Sequence, residues 1–157
     1  MATLILVCGL PGSGKTTKAK QLEVARSALR LTPDEWIRPL YGPDPARDVL
    51  DAARDPVEGL MWDVAARVLT LNVSVILDFG FWSQSEREEF RSRAASLGAS
   101  SELCFLDVPH EVLLERLSQR NAALPEDTFH VSAADLMAWS RLFEPPRPEE
   151  LMPRDPP

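Results

Sequence analysis

Gly9-Leu10-Pro11-Gly12-Ser13-Gly14-Lys15-Thr16 has the spacing G-x-x-x-x-G-K-[ST], and it falls directly between an apolar run and a stretch of good helix formers. Small residues at that spacing let successive backbone N–H groups face one concavity, and the helix behind adds partial positive charge. Such a loop cradles phosphates without bulk positive charge. Lys15 is placed to bridge the terminal phosphates of ATP, and the Thr16 hydroxyl to ligate Mg2+ that also binds phosphate oxygens. Gly9, Pro11, Gly12, Ser13, Gly14, Lys15, Thr16 and Thr17 therefore form the expected nucleotide-binding set. Lys18 and Lys20, the other two lysines, fit a solvated helix surface.

A metal held by Thr16 calls for an acidic partner at the end of a neighbouring strand. Ser74-Val75-Ile76-Leu77-Asp78 supplies one in Asp78. Hydrolysis of ATP and transfer to an alcohol use the same cradle, so the deciding residue is a base for an acceptor hydroxyl. Asp34 is the candidate, in the first turn of a helix at the carboxyl edge of the sheet, where its charge is favoured and ligands bind. Arg116 and Arg120, four apart on one helix face before a loop containing Pro125, could stabilise charge on the transferred group; Arg116 could equally pair with Glu111 or Glu115. Arg38, one turn after Asp34, could bind an anionic part of the acceptor or a surface carboxylate. Trp82 could stack on an acceptor ring or serve packing, as Trp36 and Trp139 do. His110 and His130 stand alone, without metal-ligand spacing.

The elements that must carry these residues alternate. Leu4 to Cys8 reads as a strand buried on both faces, and 15 to 28 as a helix with Ala19, Leu22, Ala25 and Ala28 inward. A short strand over 29–31 precedes Thr32-Pro33-Asp34-Glu35, whose hydroxyl, proline and glutamate form a capping signature in which Glu35 serves the cap, for a helix to about Tyr41. After a break at 42–45, Pro56 is expected to open a helix through Met61, Val64, Ala65, Val68 and Leu69. A third strand is expected over 73–77 and a polar helix from a Ser83/Glu86 capping box to about Leu97, ended by Gly98. A fourth strand (102–108), a helix (109–120) and a last helix capped by Ser132 follow. This alternation predicts an α/β fold, a parallel sheet of four to five strands with helices on both faces. Six of the fourteen prolines fall in residues 145–157, which predicts a proline-rich extended tail outside a domain of residues 1–144.

Composition narrows the function. The 157 residues carry a net charge of −7 and 45% hydrophobic residues, enough for one domain with a sizeable core. That charge makes nucleic acid an unfavourable partner and leaves any phosphate to be gripped locally. Cys8 and Cys104, each in an apolar run, fit free thiols in a reducing, cytoplasmic compartment. No stretch is long enough for a membrane span, and Met1 to Val7 reads as strand, lacking the basic flank of a signal peptide.

At GLPGSGKTT (9–17), LTPDEW (31–36), VILDFGFW (75–82), ERLSQRN (115–121) and FEPP (143–146) the chain resembles the small bacterial P-loop kinases that group with chloramphenicol phosphotransferase, zeta toxin and the kinase part of polynucleotide kinase. The resemblance runs over most of residues 3 to 145. It implies a P-loop NTPase three-layer fold with five parallel strands, ATP with Mg2+, an aspartate after the second strand acting on the acceptor hydroxyl, and an arginine-bearing lid. Asp34, Asp78 and Arg120 match those positions, with the lid at about 116–131. A fifth strand should follow the last helix, yet Glu149-Glu150-Leu151-Met152 is a poor strand. The expected activity is phosphate transfer from ATP to a hydroxyl of a small molecule. A polynucleotide 5′-kinase or a non-catalytic ATP-binding switch are the other readings.

Overall fold

A computed structural model of the chain describes residues 1–123 and 129–157; the Pro125 part of the expected lid lies outside the described residues. Four strands, β1 (Thr3–Cys8), β2 (Leu29–Leu31), β3 (Val75–Gly80) and β4 (Ser100–Phe105), form one sheet in the order β2-β3-β1-β4, and every pairing between them is parallel. The α/β fold with four parallel strands is thus the one the alternating pattern predicts. Alternation along β1 sorts its side chains. Leu4, Leu6 and Cys8 enter one core with Val57, Met61 and Ala65 of α3 (Arg47–Thr70) and Phe90 and Ala94 of α4 (Gln84–Ser96), while Ile5 and Val7 pack with Ala19 of α1 (Lys15–Arg26) on the opposite face. A third apolar cluster, Leu113, Leu117, Val131 and Leu136, joins α5 (His110–Ala123) to α6 (Ala133–Leu142) beside Leu10 of the glycine-rich loop. No helix among the described residues is long and apolar enough to cross a membrane.

Several boundaries move for identifiable reasons. Helix α1 ends at Arg26 on a left-handed Ser27, so Ala25 is exposed and Ala28 is buried from beyond the helix. Helix α3 starts at Arg47, with Pro56 in its interior. The buried stripe Leu50, Ala53, Val57, Met61, Ala65, Leu69 begins before the proline, and its burial outweighs the hydrogen bond that Pro56 cannot donate. Strand β3 runs on to Gly80, which pairs with Cys8, and β4 starts at Ser100, where polar Ser100 and Ser101 pair with Thr3 and Leu4.

Two caps also differ from expectation. Helix α2 (Pro33–Tyr41) starts after Thr32, but the Thr32 side chain does not cap it. Its hydroxyl accepts from Arg30 Nη1 at 2.6 Å and donates to Asp78 Oδ2 at 3.1 Å. Glu35 instead takes the Arg30 guanidinium at 2.8 Å, so a partly buried charge wins over the cap. Ser83 does accept from the Glu86 N–H, and Ser132 forms a full capping box with Asp135.

The C-terminal segment has no buried residue over 144–157, yet hydrogen bonds tie it to α4 and to the edge of β4. Among the described residues there is no fifth strand. Instead Arg154 forms a single antiparallel bridge to Ser101 on the β4 edge, after a 3-10 turn at Pro148–Leu151. The reason is two arginines of α4, Arg87 and Arg91, whose side chains are buried. Arg87 gives Nε to Glu150 Oε2 at 2.7 Å and Nη1 to the carbonyls of Phe81 and Glu144, and Arg91 donates to the carbonyls of Glu150 and Met152. A buried guanidinium left without such partners is costly, so the tail is tied down where its oxygens are required.

Candidate active site

The loop after β1 is anchored at both ends. Gly9 N–H bonds Gly80 O at 3.0 Å, and Ser13 N–H bonds Leu10 O at 3.1 Å. Gly12 and Gly14 hold φ of 82° and 92°, and a Cβ on Gly12 would lie 3.1 Å from Leu117 Cγ. Both conformation and space therefore demand glycine at that turn. Gly12→Ala is expected to cost about 1–3 kcal/mol of stability and to weaken nucleotide binding, checked by thermal melting and calorimetry; an unchanged melting point would show that the loop yields without strain.

Lys15, Thr16 and Asp78 converge above β1 and β3. Thr16 Oγ1 donates to Asp78 Oδ2 at 2.8 Å, while Asp78 Oδ1 is buried without a hydrogen-bond partner. Burial pushes the Asp78 carboxyl up, and Lys15 and the two threonine hydroxyls pull it back down. The Lys15 ammonium donates to Leu10 O at 3.0 Å; burial pushes it below the ordinary lysine range, while Asp78 and Asp34 oppose that shift. An unsatisfied buried carboxylate oxygen beside a threonine hydroxyl is a donor set that suits a hard divalent ion. No group of three or more His, Cys, Asp or Glu among the described residues could hold a metal by itself, so such an ion would need phosphate oxygens to complete its shell.

A cavity of about 380 Å3 opens over this edge of the sheet. Pro11, Lys15, Thr16, Asp34, Asp78, Trp82 and Arg120 all line it, so the structure brings the loop lysine and threonine, the strand-end aspartate and the candidate base to one cavity. Arg116 lies outside, its Nη1 3.4 Å from the carbonyls of Gly12 and Ser13, and with Gly12, Gly14 and Thr17 it borders a second, open hollow. It makes no ion pair with Glu111 or Glu115. Arg120 donates to Phe129 O at 3.4 Å at the cavity rim. Arg38 does not line the cavity. Trp82 packs its ring at 5.7 Å from Trp139 and donates Nε1–H to Gly9 O at 3.3 Å, which joins it to the loop.

Phe81 orients Trp82 from a left-handed backbone with φ 48°, a conformation that costs a residue with a Cβ of order 1–3 kcal/mol. Its ring is wedged against Phe79 and Phe90, and its carbonyl accepts from both Arg87 and Cys8. Cys8, buried there, has its thiol pushed up to about 12, which makes it an inert packing group.

Helix α3 supplies a wall that the sequence reading did not assign. Arg54 Nη2 donates to Asp34 Oδ1 at 3.0 Å and Nη1 reaches Glu58 Oε1 at 3.5 Å, so the candidate base is held by one oxygen. Asp51, Asp55, Glu58 and, from α4, Glu86 complete the wall. Asp51, Arg54, Asp55 and Glu58 recur at i, i+3, i+4 and i+7, a signal that emerges once the helix is continued back through Pro56. Burial pushes Glu58 up to about 7, with Arg54 opposing and Glu86 and Asp55 adding to the rise. Because this folded value is raised, the penalty is absent below the ordinary pKa of 4.5, grows as pH rises to 7, and is complete above it. Glu58→Gln should therefore raise the melting temperature at pH 8 and leave it nearly unchanged at pH 4; equal shifts at both would contradict the assignment.

Comparison with known proteins extends this geometry. The AAA domain family, AAA_33, matches residues 4–146. No curated protein matches the chain. Among solved structures, a candidate kinase from Chloroflexus aurantiacus superposes with a TM-score of 0.76 at 24% identity, covering 94% of this chain and 83% of that one. Kti12 from Chaetomium thermophilum, in complex with ADP-AlF3, gives 0.68 at 21% identity with coverages of 93% and 82%. A gluconokinase from Sinorhizobium meliloti 1021 gives 0.65 at 23% identity, with 95% and 79% covered. At these identities the likeness is one of fold.

Proposed function

The chain belongs to the AAA domain family AAA_33, and from that premise we propose that it is an ATP- and Mg2+-dependent phosphotransferase acting on a hydroxyl of a small molecule. The observation that carries the reading is that Lys15, Thr16, Asp78 and Asp34 line one cavity, with Asp34 near enough to Lys15 to act on its charge. A pure nucleotide switch needs the first three and has no use for Asp34.

In this reading the loop N–H groups of Gly12, Gly14, Lys15 and Thr16 and the Lys15 ammonium hold the β- and γ-phosphates of ATP. Thr16 and Asp78 hold the metal, which when bound offsets charge on the phosphate oxygens. Arg120, at the rim, faces the charge that spreads over the departing γ-phosphoryl group, and Arg116 lies against the outer side of the loop. The acceptor occupies the α3 side of the cavity beside Trp82. Asp34, gripped through Oδ1, presents Oδ2 to the acceptor hydroxyl and takes its proton as the oxygen attacks phosphorus; ADP leaves with the bridging oxygen. Arg38, which does not line the cavity, is given no role in acceptor binding. The two free thiols fit a cytoplasmic setting.

Incubation with γ-labelled ATP, Mg2+ and a metabolite library tests this directly. A labelled small molecule is expected. Label found only in inorganic phosphate would favour a switch, and label on an oligonucleotide end would favour a polynucleotide 5′-kinase.

A further inference from the structure

Resting on the phosphotransferase reading, we infer that the acceptor is a cation, an alcohol bearing an ammonium group that binds between the α3 carboxylates and Trp82. The first support is the distribution of charge within the cavity. Of the cationic side chains lining it, Lys15 and Arg120 belong to the phosphate side. On the acceptor side, Asp34, Asp51, Asp55, Glu58 and Glu86 face Arg47 and Arg54. Both of those guanidiniums are already engaged. Arg54 spans Asp34 and Glu58, and Arg47 lies over the Trp139 ring at 5.2 Å while donating to His130 O at 3.0 Å.

Even with Glu58, raised to about 7, only partly ionised at neutral pH, the four other carboxyl groups outnumber the two guanidiniums, so an acceptor carrying a carboxylate or phosphate would meet a surplus of like charge. An ammonium group would meet the reverse. The second support is the aromatic lining: Trp82 and Trp139, 5.7 Å apart, line the same cavity, and the Trp139 ring already carries the Arg47 guanidinium at 5.2 Å, the kind of contact a cation makes with such rings. Glu86, from α4, lines the cavity with them and stands near enough to Glu58 to raise its carboxyl further. The third is the protein's net charge of −7, which draws cationic solutes toward it.

The test uses the full chain with γ-labelled ATP, Mg2+ and sets of alcohols that share a skeleton and differ in charge. Glucosamine, glucose and gluconate form one set; ethanolamine, ethylene glycol and glycolate form another, and a pooled library of amine-bearing, neutral and acidic alcohols widens the search. In each set that is phosphorylated, kcat/KM for the amine is expected to exceed that of its neutral partner by about tenfold or more, with the acid lowest. In Glu58→Gln/Glu86→Gln that ratio should fall toward one, mostly through KM for the amine. Equal use of neutral and cationic partners, preference for the acid, or a ratio that survives the double substitution would overturn the inference while leaving the phosphotransferase intact. Transfer to no alcohol at all would remove the phosphotransferase reading and this inference with it.

Discussion

Asp34→Asn is expected to lower phosphoryl transfer by about 10²- to 10⁴-fold while leaving ATP affinity nearly unchanged, the loss typical of a missing general base. The substitution is informative because of how the side chain is held. Arg54 grips Oδ1 at 3.0 Å, and an asparagine keeps an oxygen for that contact, so the geometry survives and only the capacity to take a proton is lost. The Arg54–Asp34 pair is half exposed and worth no more than about 1 kcal/mol to the fold, so little stability is at stake. Transfer rates measured at saturating ATP, with calorimetry for binding, separate the two effects. Full transfer by the variant would remove Asp34 from the chemistry.

Glu150→Ala should destabilise the protein by about 3–5 kcal/mol, the cost of leaving a buried charge without its partner. Arg87 is only 1% exposed, and two of its nitrogens end on the Glu150 carboxylate. At roughly 2–4 °C per kcal/mol for a domain of this size, the melting temperature should drop by about 10 °C. Arg87 also holds Glu150 below the ordinary carboxylate range. The stabilisation from that pair is therefore present above the carboxylate's unfolded pKa and lost as pH falls through its lowered folded value, so wild type and variant should converge in strong acid. A second consequence concerns the site. Arg87 Nη1 also bonds the carbonyls of Phe81 and Glu144, and Glu144 N–H bonds Trp82 O, so loosening the tail should blur the Trp82 wall and raise acceptor KM. A loss below about 1 kcal/mol would show that the tail is dispensable.

What could be read from residues alone followed from local chemistry. The loop from Gly9 to Thr16 is legible because its glycines, lysine and threonine are each fixed by a backbone or phosphate requirement, and the strand before it is a short apolar run. Asp78 is legible as the acidic residue that ends a short apolar run. Local pattern and structure part where distant contacts override local preference. Thr32 and Glu35 have the form of a helix cap, but a partly buried Arg30 and Asp78 claim them. Pro56 looks like a helix start until the stripe from Leu50 onward is seen to share one buried face. Arg54 and Glu58 belong to the site only through the packing of α3 beside α2. The anchoring of the tail has no local signal, because the guanidiniums that hold it lie about 60 residues away in sequence.

Every later step depends on the loop gripping a triphosphate, and calorimetric titration of the folded protein with ATP in magnesium buffer measures that grip. One-to-one binding is expected for the wild type, weakened by about tenfold or more in Lys15→Met, whose side chain keeps its length and loses its charge. No heat with ATP or GTP, or equal affinity in Lys15→Met, would contradict the account.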